Sequence, residues 1–132
     1  MAINFKIKAS HMIKKVLIAE DDRVTLKMIS STVESIGFCA IKCSDGKRAW
    51  EVLQDNDDIV LLITDIQMPQ MDGRDLIKTI RSHDAFANLN IFVLSGAVKP
   101  NEVNDLLLLG ASKFISKPID INHLKDYLMS LK

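Results

Sequence analysis

Prolines number three and glycines five in this 132-residue chain, and no repeat, low-complexity tract or linker-like stretch interrupts it. That leaves no place for a hinge between domains, and the length allows one globular domain with one core. Cysteines are limited to Cys39 and Cys43. Four positions apart in a segment patterned as a strand, their Cα atoms would stand roughly 13 Å apart, beyond disulfide reach. The spacing fits neither a Cys-x-x-Cys redox pair nor a zinc knuckle, so both read as buried or half-buried thiols.

Neither sign of charge is in excess, with 17 Lys and Arg against 17 Asp and Glu. Residues 1–11, "MAINFKIKASH", show no sustained pattern and run into Met12 through a Ser-His-Met junction resembling an expression-vector scar. Setting them aside as lying outside the domain of residues 12–132 removes Lys6 and Lys8 and leaves 15 basic against 17 acidic side chains. A net charge of about −2 gives no electrostatic reason to expect nucleic acid or an anionic membrane as partner. No apolar run approaches the ~20 residues that span a bilayer and no signal peptide is visible, so the cytoplasm is the simplest compartment. Also missing is a Gly-x-Gly-x-x-Gly after the first strand; a nucleotide or flavin site would not welcome the three acids found there instead.

What is present is an alternation of periods. Strand patterns cover Lys15 to Ala19, Phe38 to Lys42, Ile59 to Thr64, Ile91 to Leu94 and Lys113 to Ile115. Between and after them run helical patterns, from Arg23 to Ile36, Gly46 to Gln54, Gly73 to about Ser82, Pro100 to Leu109, and a last one with Ile121, Leu124, Leu128 and Leu131 in register. The first helix sets Leu26, Ile29, Val33 and Ile36 on one face and ends at Gly37, and the second turns Ala49, Trp50 and Leu53 inward. Central strands apolar on both faces mark a parallel sheet covered by helices on each side. The expected fold is α/β: a doubly wound five-stranded parallel sheet with five helices in a three-layer sandwich.

Ligands of such sheets bind outside the carboxyl ends of the strands, where the strand order reverses. Those ends carry Glu20, Asp21 and Asp22 after the first strand, Asp65 after the third, Ser95 and Gly96 after the fourth, and Lys117 and Pro118 after the fifth. Clustered carboxylates repel and need a cation or a proton for relief. Hard oxygen ligands suit Mg²⁺, which accepts one or two carboxylates together with phosphate oxygens. A phosphoryl group at Asp65 would meet the metal on one side and the Lys117 ammonium on the other, with Ser95 able to donate a hydrogen bond. A carboxylate placed in line with a donor can itself form an acyl phosphate.

In this ordered set the chain resembles the receiver domain of two-component response regulators, over nearly all of residues 12–132. The motifs are Glu20-Asp21, Asp65-x-x-Met68-Pro69-x-Met71-Asp72-Gly73, Ser95-Gly96-Ala97 and Lys117-Pro118. Each is weak alone, and their order at successive strand ends is specific. The resemblance implies that Asp65 is the phosphorylated residue and that Glu20, Asp21, Asp65 and the backbone carbonyl of Gln67 hold Mg²⁺, with Mn²⁺ as an alternative. It implies that Lys117 contacts the phosphoryl group, that the Lys117-Pro118 peptide is cis, and that Ser95 and Phe114 form the switch pair. Gln67 and Ala97 would flank the phosphoryl group and tune its lifetime. The implied partners are a sensor histidine kinase or histidine phosphotransfer protein, and a downstream protein or a second copy on the face of the fourth helix, fifth strand and fifth helix. The chain would then be no enzyme with a separate substrate, catalysing only its own phosphorylation and dephosphorylation.

Plainer readings stand beside these. Asp22 is placed to cap the first helix, and Asp72 and Gly73 to shape the loop and start the third. Phe114 on a short strand also fits a core position, and Ser95 a strand-end satisfier. His11, His83 and His123 have no catalytic company. A phosphatase using an aspartyl phosphate would want a second acid where Gln67 stands. A degenerate receiver, acting as a phosphorylation-independent interaction module, is the serious rival. Such a domain either stands alone or belongs to a larger regulator or hybrid kinase.

Overall fold

The computed structural model describes residues 13–96 and 99–132. The segment set aside above, residues 1–11, and Ala97 lie outside the described residues. Five strands, β1 (Lys15–Ala19), β2 (Cys39–Cys43), β3 (Ile59–Asp65), β4 (Asn90–Ser95) and β5 (Lys113–Ser116), form one sheet in the order β2-β1-β3-β4-β5. All neighbouring strands run parallel. The helices are α1 (Arg23–Ser35), α2 (Gly46–Asp55), α3 (Gly73–Arg81), α4 (Pro100–Leu109) and α5 (Ile121–Met129), with a short 3₁₀ turn at Asp84–Phe86.

The interiors of β1, β3 and β4 are almost wholly apolar, with neither glycine nor proline, as a sheet buried on both faces requires. Leu17, Leu62, Ile91 and Val93 pack under α2, α3 and α4, against Ala49, Leu53, Leu76, Ile77, Ile80 and Leu106. On the opposite face Val16, Ile18, Leu61, Ile63, Phe92 and Leu94 meet Ile29 and Val33 of α1 and Leu124 and Leu128 of α5. Removing one such Leu or Ile from water contributes roughly 2 kcal/mol, so this double burial fixes β1, β3 and β4 firmly. The result is the expected three-layer sandwich.

Helix starts follow a common device. Asp22, Asp45, Asp72 and Asp120 precede α1, α2, α3 and α5, and each accepts from a backbone N–H of the first turn. A carboxylate there satisfies an N–H with no partner inside the helix and meets the positive end of its dipole. α4 instead opens with Pro100, whose missing N–H costs nothing at that place. Gly37 and Gly110, past the ends of α1 and α4, take φ of 104° and 132°, which a side chain would oppose.

Differences from the sequence reading are local. Asp65 is the last residue of β3 and Ser95 the last of β4, and β5 extends to Ser116. β2 lies one residue later than the periodicity indicates. Cys39 is exposed and only Cys43 buried. Both occupy the same face of an edge strand, but Cys43 alone reaches beneath α2. Trp50 is half-buried at the α2–α3 edge, its ring centroid 4.8 Å from His83 and 5.7 Å from Phe86 of the unanticipated 3₁₀ turn. No helix among the described residues is long and apolar enough to cross a membrane.

Candidate functional site

Strand order reverses between β1 and β3, so the crevice of the fold opens beyond their carboxyl ends. Register then sets which side chains meet there. Ala19 pairs with Thr64, which brings Glu20 beside Asp65; Asp65 pairs with Leu94, so Ser95 follows one step on; Ser95 pairs with Ser116, so Lys117 comes next. The Lys117 backbone N–H donates to the Ser95 carbonyl at 2.9 Å, closing the row. An open cleft of about 450 Å³ lies over it, lined by Asp21, Asp65, Gln67, Ser95, Gly96 and Lys117. A larger cleft of about 600 Å³ at the amino ends of β3 and β4 has Asp57 and Asp84 as its charged lining residues and no Lys or Arg.

The Lys117 ammonium donates to Asp65 Oδ2 at 2.8 Å and to Glu20 Oε1 at 2.7 Å. Asp65 Oδ1 accepts from the N–H of Ile66 at 2.7 Å, so both oxygens of this carboxylate are held. Glu20 Oε2 accepts from the Asp22 N–H at 3.3 Å. Exposure falls from 26% for the Lys117 side chain to 13% for Asp65 and 0% for Glu20. Burial pushes the Glu20 carboxyl above its ordinary value; the Lys117 hydrogen bond opposes this, and the neighbouring Asp65 charge adds to it. Burial alone would lower the Lys117 ammonium, but its bonds to Asp65 and Glu20 outweigh that and hold it above the usual lysine value.

Oxygens of Glu20, Asp21 and Asp65 lie within 4.8 Å of one another. One ammonium against three carboxylates leaves the cluster short of positive charge, and all the donors are hard oxygens beside an open cleft. The residues present therefore fit a small divalent cation such as Mg²⁺.

The loop after Asp65 is fixed at its roots. The Thr64 hydroxyl donates to the Asp65 carbonyl at 2.9 Å, and the Gly73 N–H donates to the Ile66 carbonyl at 2.7 Å. A Cβ on Gly73 would run into the Asp65 carbonyl oxygen and come within 2.9 Å of the Ile66 Cα, so glycine lets α3 start against the end of β3. Thr64 was not singled out from the sequence; a lone hydroxyl inside an otherwise apolar buried strand was the available signal. Nor did the sequence show that Lys117 binds Glu20 as well as Asp65.

Ser95 lines the cleft, and Phe114 sits half-buried on the same sheet face, on the neighbouring strand and two residues out of register. The Lys117–Pro118 peptide is cis. Asp22 caps α1, its carboxyl drawn below the usual range by hydrogen bonds from the Thr25 hydroxyl and N–H. Asp72 caps α3 by accepting from the Asp75 N–H at 3.0 Å. His83 lies against Trp50 with the rings tilted by 54°, and His123 lies 3.9 Å from Asp120, both away from the cleft lining.

Residues 16–129 match the family model described as the response regulator receiver domain. Chemotaxis protein CheY1 of Helicobacter pylori is 33% identical over 115 residues, which span 86% of this chain and 93% of that protein. A response regulator receiver protein from Pseudomonas putida superposes with a TM-score of 0.81 at 32% identity, over 91% of this chain and 98% of that one. The chemotaxis response regulator CheY4 of Vibrio cholerae shares the fold with a TM-score of 0.84 at 24% identity, over 92% and 100% of the two chains. The order of motifs, the sheet topology and these likenesses agree: the chain belongs to the response regulator receiver domains of two-component signalling.

Proposed function

We propose that this receiver is a phospho-accepting switch in a histidine-to-aspartate relay, working in the cytoplasm. The observation that carries the reading is the Lys117 ammonium held between Asp65 and the buried Glu20 at the mouth of the switch-point cleft. A carboxylate oxygen of Asp65 attacks the phosphorus of a phosphohistidine on a partner kinase or phosphotransfer protein. The new O–P bond forms as the P–N bond breaks, and its electron pair stays on the imidazole nitrogen. Lys117 needs little movement to follow the charge from Asp65 onto the phosphoryl oxygens, and Ser95 donates a hydrogen bond to one of them. Glu20, Asp21, Asp65 and the Gln67 backbone carbonyl would hold Mg²⁺, which when bound neutralises charge on the transferring group. Water later hydrolyses the acyl phosphate, and no separate substrate is turned over.

New charge at Asp65 favours the conformer in which Ser95 is drawn inward and Phe114 fills the space it leaves. The face of α4, β5 and α5 then meets a downstream protein or a second copy. Supporting this face, Leu107 and Leu108 of α4 are 41% and 85% exposed. Incubation with acetyl phosphate and Mg²⁺ followed by intact-mass measurement should add one phosphoryl group, absent without the metal and in Asp65→Asn. An unmodified parent, or a modification that survives Asp65→Asn, sinks the reading and leaves a phosphorylation-independent interaction module.

A further inference from the structure

Helix α2 carries none of the groups that converge on Asp65, yet its first residue bears on the loop that follows Asp65. Gly46 is buried, and a Cβ built on it would collide with the Met71 carbonyl oxygen while lying 3.0 Å from the Met71 carbonyl carbon and 3.2 Å from its Cβ. Backbone torsion is not the reason for glycine here, because among the described residues only Gly37 and Gly110 are glycines with positive φ. Position 46 is glycine for space. A side chain has to displace backbone, which yields far less readily than the end of a flexible side chain.

Neither partner in this contact is free to retreat. α2 is rooted by Val52 and Leu53, 8% and 2% exposed in the core. The loop is rooted by the Gly73-to-Ile66 hydrogen bond and turned back by the Met71 N–H donating to the Pro69 carbonyl at 2.8 Å. Gln70 between them takes a φ of 69°. Between these points the Met71 carbonyl rests on α2, four residues from Gln67 in the cleft lining.

We infer that Gly46 is a positioning residue for metal binding: by letting α2 seat on the Met71 carbonyl it fixes the loop that presents the Gln67 backbone carbonyl. The inference rests on the proposed role of that carbonyl as a Mg²⁺ ligand. It differs from a packing role in what it moves: the affinity for the ion, and not only the stability of the fold.

The test is titration of the parent, Gly46→Ala and Ala49→Gly with MgCl₂ alone, followed by amide NMR, with acetyl phosphate labelling as a second readout. Gly46→Ala should bind Mg²⁺ about tenfold more weakly, as displaced supports of ligands do, and excess Mg²⁺ should restore labelling. Ala49→Gly weakens the same helix but should leave Mg²⁺ affinity unchanged. Equal affinity in the parent and Gly46→Ala overturns the inference while leaving the proposed function intact; a parent that binds no Mg²⁺ overturns both. Should Gly46→Ala fail to fold, the parent decides. Its Gly46 amide resonance should shift along the same Mg²⁺ binding curve as that of Ile66, and a Gly46 signal that stays still overturns the inference.

Discussion

Lys117 reaches 2.7 Å to Glu20, a carboxylate with no exposed surface, and through the same ammonium holds Asp65 at 2.8 Å. One cation therefore serves two acids, with Asp21 alongside. Lys117→Ala strands buried negative charge. It should lose roughly 2–3 kcal/mol in urea unfolding at neutral pH, less than the 3–5 typical of fully buried pairs, because Lys117 keeps 26% exposure. Mg²⁺ should stabilise the variant more than the parent, since it relieves the same repulsion. Equal stability with and without the lysine would show that the acids are not coupled through it.

Glu20 supplies the pH dependence. Its folded-state carboxyl is raised above the ordinary value by burial, so the folded chain holds this proton more tightly than the unfolded chain. The associated stability is full below ~4.3, the ordinary glutamate value, and is lost as pH rises through the raised folded value. Glu20→Gln mimics the protonated form. Without Mg²⁺ its melting temperature should exceed the parent's at pH 7, and the difference should close on acidification toward pH ~4. Mg²⁺ binding should weaken in the same variant. A Glu20→Gln protein that melts below the parent at pH 7 would contradict this.

Arg81, at the end of α3, ties the α3–β4 and α4–β5 connections together. Its guanidinium donates to the carbonyls of Gly110 at 2.9 and 3.0 Å, Phe86 at 2.7 Å and Leu89 at 2.6 Å. Burial lowers its pKa, and all these acceptors are neutral backbone groups. Arg81→Met should cost roughly 2–3 kcal/mol in chemical denaturation by leaving carbonyls unpaired. Arg81→Lys should recover little of that, because a point-like ammonium cannot span the fork. Full recovery by lysine would reduce the role of Arg81 to charge alone.

Leu108, 85% exposed on α4, separates partner binding from folding. Leu108→Glu should change stability by less than about 0.5 kcal/mol, as surface substitutions do. It should also abolish any association, with a partner or a second copy, that appears on phosphorylation. Sedimentation or pull-down with and without acetyl phosphate and Mg²⁺ reads this directly; association that survives the charge places the contact on another face.

Much was legible in the sequence because two periods are hard to mistake. Aliphatic strands such as "IVLLIT" and helices with apolar residues three and four apart dictate a sheet covered on both sides, and with it a crevice at the strand ends. Glu20, Asp21, Asp65, Ser95 and Lys117 stand out because reactive side chains follow apolar strands, where packing does not ask for them. Tertiary structure alone decided the contacts that depend on register and approach. Pairing Ala19 with Thr64 puts Glu20 against Lys117, and no local pattern encodes a bond across 97 residues. Nor does one show that Gly46 lies against Met71, that Thr64 braces the Asp65 carbonyl, or that Cys39 falls outside the cover of α2. Periodicity records which face of an element is buried; which neighbour fills that face is fixed only when the strands take their order and the helices close over them.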